Sequence, residues 1–222
     1  MLISMAIQWR LRSKFREYSQ IGLSSGLSGQ EIAQRMLRDH GINDVQVIST
    51  EGELTDHYNP ANKTVNLSRE VYLGRSAAAA AVAAHECGHA VQHATAYSML
   101  QLRSALVPIQ NISANIINII FMAMLFGAFF LRGLVSPQLA IMVIIACYAV
   151  FSLFALVTLP VEFDASRRAL AWIDQKSIVT SREHAMAKDA LKWAASTYVV
   201  AALGALAQLW YYVSLLTGSS DD

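Results

Sequence analysis

Two stretches of this chain, residues 139–159 and 194–216, contain no charged residue, and each exceeds the roughly 20 residues that an α-helix needs to cross a hydrocarbon core. A third run, 116–131, is nearly as apolar and reaches full length when extended back through Asn115, Ser113 and Ile112. All three are predicted to be transmembrane helices. Trp193 at one end of the last run and Trp210, Tyr211 and Tyr212 near the other sit where amphipathic rings favour membrane interfaces. The first nine residues are also apolar but span less than half a bilayer, and Arg10, Arg12, Lys14 and Arg16 follow at once. A secretory signal would put its basic residues first, so this segment reads as the inner half of a retained anchor whose beginning is missing.

Between that anchor and the first full run lies the one sizeable polar region, which reads as a small α+β unit. Ser28 and Glu31 form a capping box opening a helix with Ile32, Met36 and Leu37 on one face, and Gly41 stops it. Residues 45–48 read as a strand, and Asn59-Pro60-Ala61-Asn62 as a turn into a second strand, 64–67. The alanine-rich stretch after Ser76 predicts a long helix reaching past His93. The predicted order is an anchor (1–16), a polar catalytic region (17–110), a transmembrane hairpin (111–160), a second polar segment (161–193), and a last membrane helix with its tail (194–222).

Composition agrees. Of 222 residues, 55% are hydrophobic and 15% charged, against about a quarter charged in ordinary soluble domains. The net charge of +1 gives no reason to expect nucleic acid. Distribution matters more than the sum. Ten Lys and Arg lie between Arg10 and Arg103, six between Arg167 and Lys192, and only Arg132 in the loop 132–138. Three crossings place both rich segments on one face, which the positive-inside rule makes cytoplasmic, with the acidic tail outside. Cys87 and Cys147 belong to no paired-cysteine motif and read as free thiols.

The chemistry lies in His85-Glu86-Cys87-Gly88-His89, an H-E-x-x-H pattern on the alanine-rich helix. Residues four apart share a helix face, so both imidazoles can reach one zinc ion while Glu86 projects beside it as a general base. Cys87 points away from the histidine face. A third ligand is needed. A metzincin would place histidine at 95, which is Thr95, and His93 lies about 12 Å along the helix from His85, so it reads as a polar residue flanking the site. The second basic segment opens Pro160-Val161-Glu162-Phe163-Asp164-Ala165-Ser166-Arg167-Arg168. Glu162 is favoured, since a carboxylate beside the end of a span needs a partner. Asp164 is the rival, although pairing with Arg167 or Arg168 accounts for it as well.

Leu54-Thr55-Asp56-His57-Tyr58-Asn59-Pro60, Lys63-Thr64-Val65-Asn66-Leu67-Ser68, Ala83-Ala84-His85-Glu86-Cys87-Gly88-His89-Ala90-Val91-Gln92 and Pro160-Val161-Glu162-Phe163-Asp164-Ala165-Ser166 together resemble the YugP-type neutral zinc metallopeptidases of bacterial membranes. The resemblance covers nearly the whole chain, departing at the N-terminus, where family members carry a complete first helix. It implies a zincin-like domain beside integral membrane helices, one Zn2+ per chain, and a multi-pass protein of the bacterial inner membrane with its site facing the cytoplasm. More distantly the chain is similar to the HtpX-type membrane proteases, whose third ligand is a glutamate followed four residues later by an aspartate that orients a zinc-bound histidine. Glu162 matches the glutamate, whereas the later position is Ser166, whose hydroxyl can hydrogen-bond an imidazole more weakly.

The implied activity is hydrolysis of peptide bonds by a gluzincin-type endopeptidase, with protein or peptide substrates, the lipid bilayer as environment, and room for membrane-protein partners or a homo-oligomer. His57, Tyr58, His184 and Arg167 are unranked candidates for the oxyanion donor. By analogy with related peptidases, Thr64, Val65, Asn66 and Leu67 are expected to form an edge to which an extended substrate adds. A catalytically silent zinc-binding adaptor is the alternative. A metal transporter is disfavoured because the spans lack Asp, Glu and His.

Overall fold

The computed structural model describes residues 2–130 and 136–218, and the fold is mainly helical. In order it runs α1 (Leu2–Ser19), α2 (Gly29–Asp39), β1 (Gln46–Thr50), β2 (His57–Asn59), β3 (Thr64–Ser68), α3 (Arg69–Leu73), α4 (Ala77–Ala94), α5 (Ser98–Phe130), α6 (Pro137–Gln175) and α7 (Ser181–Gly218). The chain divides into two compact units, Met1–Leu100 with Pro160–Thr197, and Gln101–Leu159 with Tyr198–Asp222.

The first unit is built around α4. Ser28 opens α2 with the expected capping box, its side chain accepting from the Glu31 N–H while the Glu31 carboxylate accepts from the Ser28 N–H at 2.7 Å. The helix buries Ile32, Ala33, Met36 and Leu37. Ser76 caps α4, whose alanines at 77–81, 83 and 84 are buried. Side chains that small let a helix be enclosed by its neighbours, and α4 packs in one core with residues of α2, β3 and α3 and with Trp172 and Ile173 of α6.

The sheet has the order β1-β3-β2, with β1 parallel and β2 antiparallel to β3. This corrects the expectation that Thr64, Val65, Asn66 and Leu67 form an edge. β3 is the central strand, with ladder partners on both sides and every residue buried, so it cannot accept a further strand. The outer strands are β1 and β2; β2, three residues long, is unanticipated because the turn residues from Asn59 onward obscured it.

Among the described residues, three helices are long and apolar enough to cross a membrane, Ser98–Ala123, Gln138–Gln175 and Ser181–Gly218. They run past the expected spans: α6 and α7 have 39 and 38 residues, about 57–59 Å each against a hydrocarbon core of about 30 Å. Pro160 does not end α6 but lies inside it. Its missing N–H leaves one carbonyl to be satisfied elsewhere, which long membrane helices tolerate. Arg132 and residues 219–222 lie outside the described residues.

Candidate metal centre

The two histidines stand one turn apart on α4, with ring centroids 4.8 Å apart and ring planes nearly perpendicular at 83°. Glu162 arrives from α6. Its Oε2 lies 3.3 Å from His85 Nε2 and 3.6 Å from His89 Nε2. Ligand atoms of all three residues fall within 4.8 Å of one another, and Glu162 is 3% exposed. Donors held at about 2.0–2.1 Å around one tetrahedral zinc stand about 3.3–3.4 Å apart, close to the two separations between Glu162 and the histidines, and two imidazole nitrogens with one carboxylate oxygen are a donor set that suits such an ion.

Gly88 makes the convergence feasible. A Cβ at that position would stand 2.6 Å from the Ala165 carbonyl oxygen and 3.1 Å from its carbonyl carbon and Cα, so α4 and α6 touch backbone to backbone. That approach brings Glu162 and Ser166, one on each side of Ala165, up to the histidine face.

Each imidazole is also gripped from behind. Ser166 Oγ lies 3.1 Å from His85 Nδ1. His89 Nδ1 lies 3.0 Å from Gln92 Oε1, and Gln92 is fully buried. The Gln92 amide can be oriented from its partners: Nε2 donates to the Val161 carbonyl at 2.8 Å and to Asp164 Oδ2 at 2.9 Å, so Oε1 must face the ring. His89 therefore carries a proton on Nδ1, and Nε2 is the ring nitrogen that faces Glu162. Burial alone would depress the His89 pKa, but the bond to Glu162 and the charges of Glu86 and Glu162 raise it above the ordinary value.

Asp164 does not join the three donors. It ion-pairs with Arg167 and, at 2.6 Å, with Arg168, while reaching His89 only through Gln92. Sequence reasoning passed over Gln92. Its signal was present in a buried-helix pattern: an amide three residues after a histidine, on the same face of an otherwise apolar helix.

Glu86 is buried, and its Oε2 accepts from the Tyr58 backbone N–H at 2.9 Å. Tyr58 faces β3 Val65 in register, so the N–H aimed at Glu86 is on the outer edge of β2. The Tyr58 hydroxyl bonds His93 Nδ1 at 2.7 Å, giving His93 a partner away from the three donors. His57 Nδ1 turns to the Thr55 carbonyl at 2.8 Å. His184, in the first turn of α7, makes no side-chain hydrogen bond to the group among the described residues, and Arg167 is occupied by Asp164. Cys87 faces α2, with Sγ 3.6 Å from the Ala33 carbonyl, and burial pushes its thiol far above the ordinary range, so it is no ligand.

Helices of membrane-spanning length and composition, together with a cluster of His85, buried His89 and buried Glu162, define a helical protein of membrane type with a candidate metal centre. The chain belongs to the family described as putative neutral zinc metallopeptidases, whose profile matches residues 1–217. It is 39% identical over 221 residues, 99% of this chain and 94% of the relative, to a Bacillus subtilis (strain 168) protein called putative membrane protease YugP. No solved structure matches the chain.

Proposed function

We propose that the chain is a membrane-embedded zinc endopeptidase of the gluzincin type, with a zincin-like domain that works at the cytoplasmic face of the bacterial inner membrane. The observation that carries this reading is the approach of the Glu162 carboxylate to both Nε2 atoms, 3.3 and 3.6 Å away. His85, His89 and Glu162 would hold one zinc ion, and a tetrahedral shell with three protein ligands keeps its fourth position for water. Zinc there would bring the pKa of that water toward about 7 and polarise a substrate carbonyl.

Glu86 would take the proton from the water and deliver it to the leaving amine. The Tyr58 N–H at 2.9 Å fixes the direction of the Glu86 carboxylate. Because β2 is an outer strand, an extended substrate is expected to add along its outer edge, with β2 taking the role first given to β3. Recognition through backbone bonds makes cleavage tolerant of sequence and suits unfolded or membrane-protein substrates. The cytoplasmic assignment rests on the Lys and Arg distribution, since Glu162 follows the apolar run 139–159 by three residues and precedes Arg167 and Arg168.

The test is purified protein with Glu86→Gln beside it, assayed for bound zinc and for cleavage of an unfolded protein. Zinc retained with proteolysis lost by the variant is the expected result. Equal behaviour of the two proteins, or zinc binding unchanged in Glu162→Ala, overturns the reading and leaves an adaptor.

A further inference from the structure

The α5 helix carries a feature that the metal centre does not use. Asn111, Asn115 and Asn118 follow one another at spacings of four and three within the candidate span Ser98–Ala123, and all three are exposed. At 3.6 residues per turn they fall within an arc of about 60°. Met122 and Leu125, 55% and 72% exposed, continue the same seam at four and three. The packed face of the helix is elsewhere: Leu106, Ser113 and Ile117 are buried, and Ser113 lies about 200° around the helix from Asn115. None of the three carboxamides has a hydrogen-bond partner among the described residues.

In hydrocarbon there is no water to satisfy an exposed amide, so a membrane helix with a line of asparagines on its outward face is incomplete alone. The four-three spacing is that of a coiled-coil seam, in which an asparagine fixes register and oligomeric state. A carboxamide is donor and acceptor at once, so an identical stripe supplies every group that this one lacks. We propose that α5 is a self-association surface, through which two copies of the chain pair in the bilayer along the Asn111–Asn115–Asn118 seam. The contact is isologous, the same residues serving on both copies. A polar path for a membrane-embedded substrate helix would need a partner of different chemistry, which is the competing occupant.

The experiment uses the full chain in bilayers, with single cysteines introduced in turn by Asn115→Cys, Asn118→Cys, Ile112→Cys and Ile119→Cys. The two isoleucines are 59% and 67% exposed and lie about 75–95° around the helix from the centre of the three asparagines. Cys87 and Cys147 are buried. Oxidative crosslinking is expected to give a covalent dimer at 115 and 118 and little at 112 and 119. Energy transfer between labelled copies, measured over lipid dilution, is expected to show dimerisation at least about ten-fold weaker in the triple variant N111L/N115L/N118L, whose fold is checked by circular dichroism. A wild type that stays monomeric at every dilution, equal crosslinking at all four positions, or crosslinks from 115 that go only to other proteins overturns the proposal.

Discussion

Gly88→Ala is the sharpest probe of how the centre is assembled. The added methyl would sit 2.6 Å from the Ala165 carbonyl oxygen, and the obstructing atoms are backbone. Restoring an ordinary separation of roughly 3.2–3.5 Å requires α4 and α6 to part locally by about 0.6–0.9 Å. Metal sites tolerate about 0.2 Å in ligand distance, so a movement of that size takes Glu162 out of bonding range or strains the shell. Stability is a poor readout, because overpacking of about 1–3 kcal/mol is partly offset by the gain of about 0.5–1 kcal/mol when alanine replaces a helical glycine. Zinc affinity is the better one. Competition against a chromophoric chelator is expected to show a loss of about 10–100-fold, or about 1.4–2.8 kcal/mol. Adding Ala165→Gly should not rescue it, since the methyl meets the backbone of residue 165 and not its side chain. Wild-type affinity in Gly88→Ala, or rescue by Ala165→Gly, would refute the idea that backbone contact sets the position of Glu162.

Gln92→Leu removes the group that fixes the His89 tautomer and cuts the link from Asp164 to that ring, and is expected to weaken zinc binding about 10–100-fold by the same competition assay. Ser166→Ala should cost less, because a neutral hydroxyl orients His85 more weakly, and Ser166→Asp should tighten binding above wild type; the reverse order of the two affinities would show that Ser166 does not support the imidazole. Asp56 accepts the Ser68 N–H at 2.7 Å, yet burial, reinforced by the Glu86 charge and opposed by that bond, holds its pKa above the ordinary 3.8. A carboxyl raised in this way favours the folded state below 3.8 and loses that contribution as pH climbs through the raised value, so the stability of wild type relative to Asp56→Asn should decline over that interval in thermal melts. A difference that is flat or rises with pH would contradict the assignment.

What could be read in the sequence was whatever depends on local spacing. The capping box at Ser28 and Glu31, the four-residue interval between His85 and His89 and the charge-free runs each involve neighbours along one helix, and each is found in the structure. What escaped depends on contacts between distant segments. β2 has three residues, too few to show alternation, and its identity as the outer strand follows only from pairing with β3. Asp164 precedes Ser166 by two residues, about 200° around the helix, so it does not take the place of Ser166 beside His85. The missing fact was that Gln92, donated by another helix, carries its influence to His89. Pro160 looked like a boundary because proline breaks helices in water; inside α6 it does not.

The electrostatic design of the centre differs from a scheme with an aspartate directly on a zinc-bound imidazole. Glu86 and Glu162 are both buried near the histidine pair, so two negative charges already face a divalent cation bound there. A third unshielded carboxylate would make the site net negative and dull its ability to draw electrons from a carbonyl. Here the extra carboxylate is present but discharged: Arg167 and Arg168 pair with Asp164, and the neutral amide of Gln92 passes on its orienting effect without its charge. His85 correspondingly has a hydroxyl at Nδ1 where the distant relatives have an acid. Both arrangements hold the rings in place without adding a third unpaired negative charge beside the three donors.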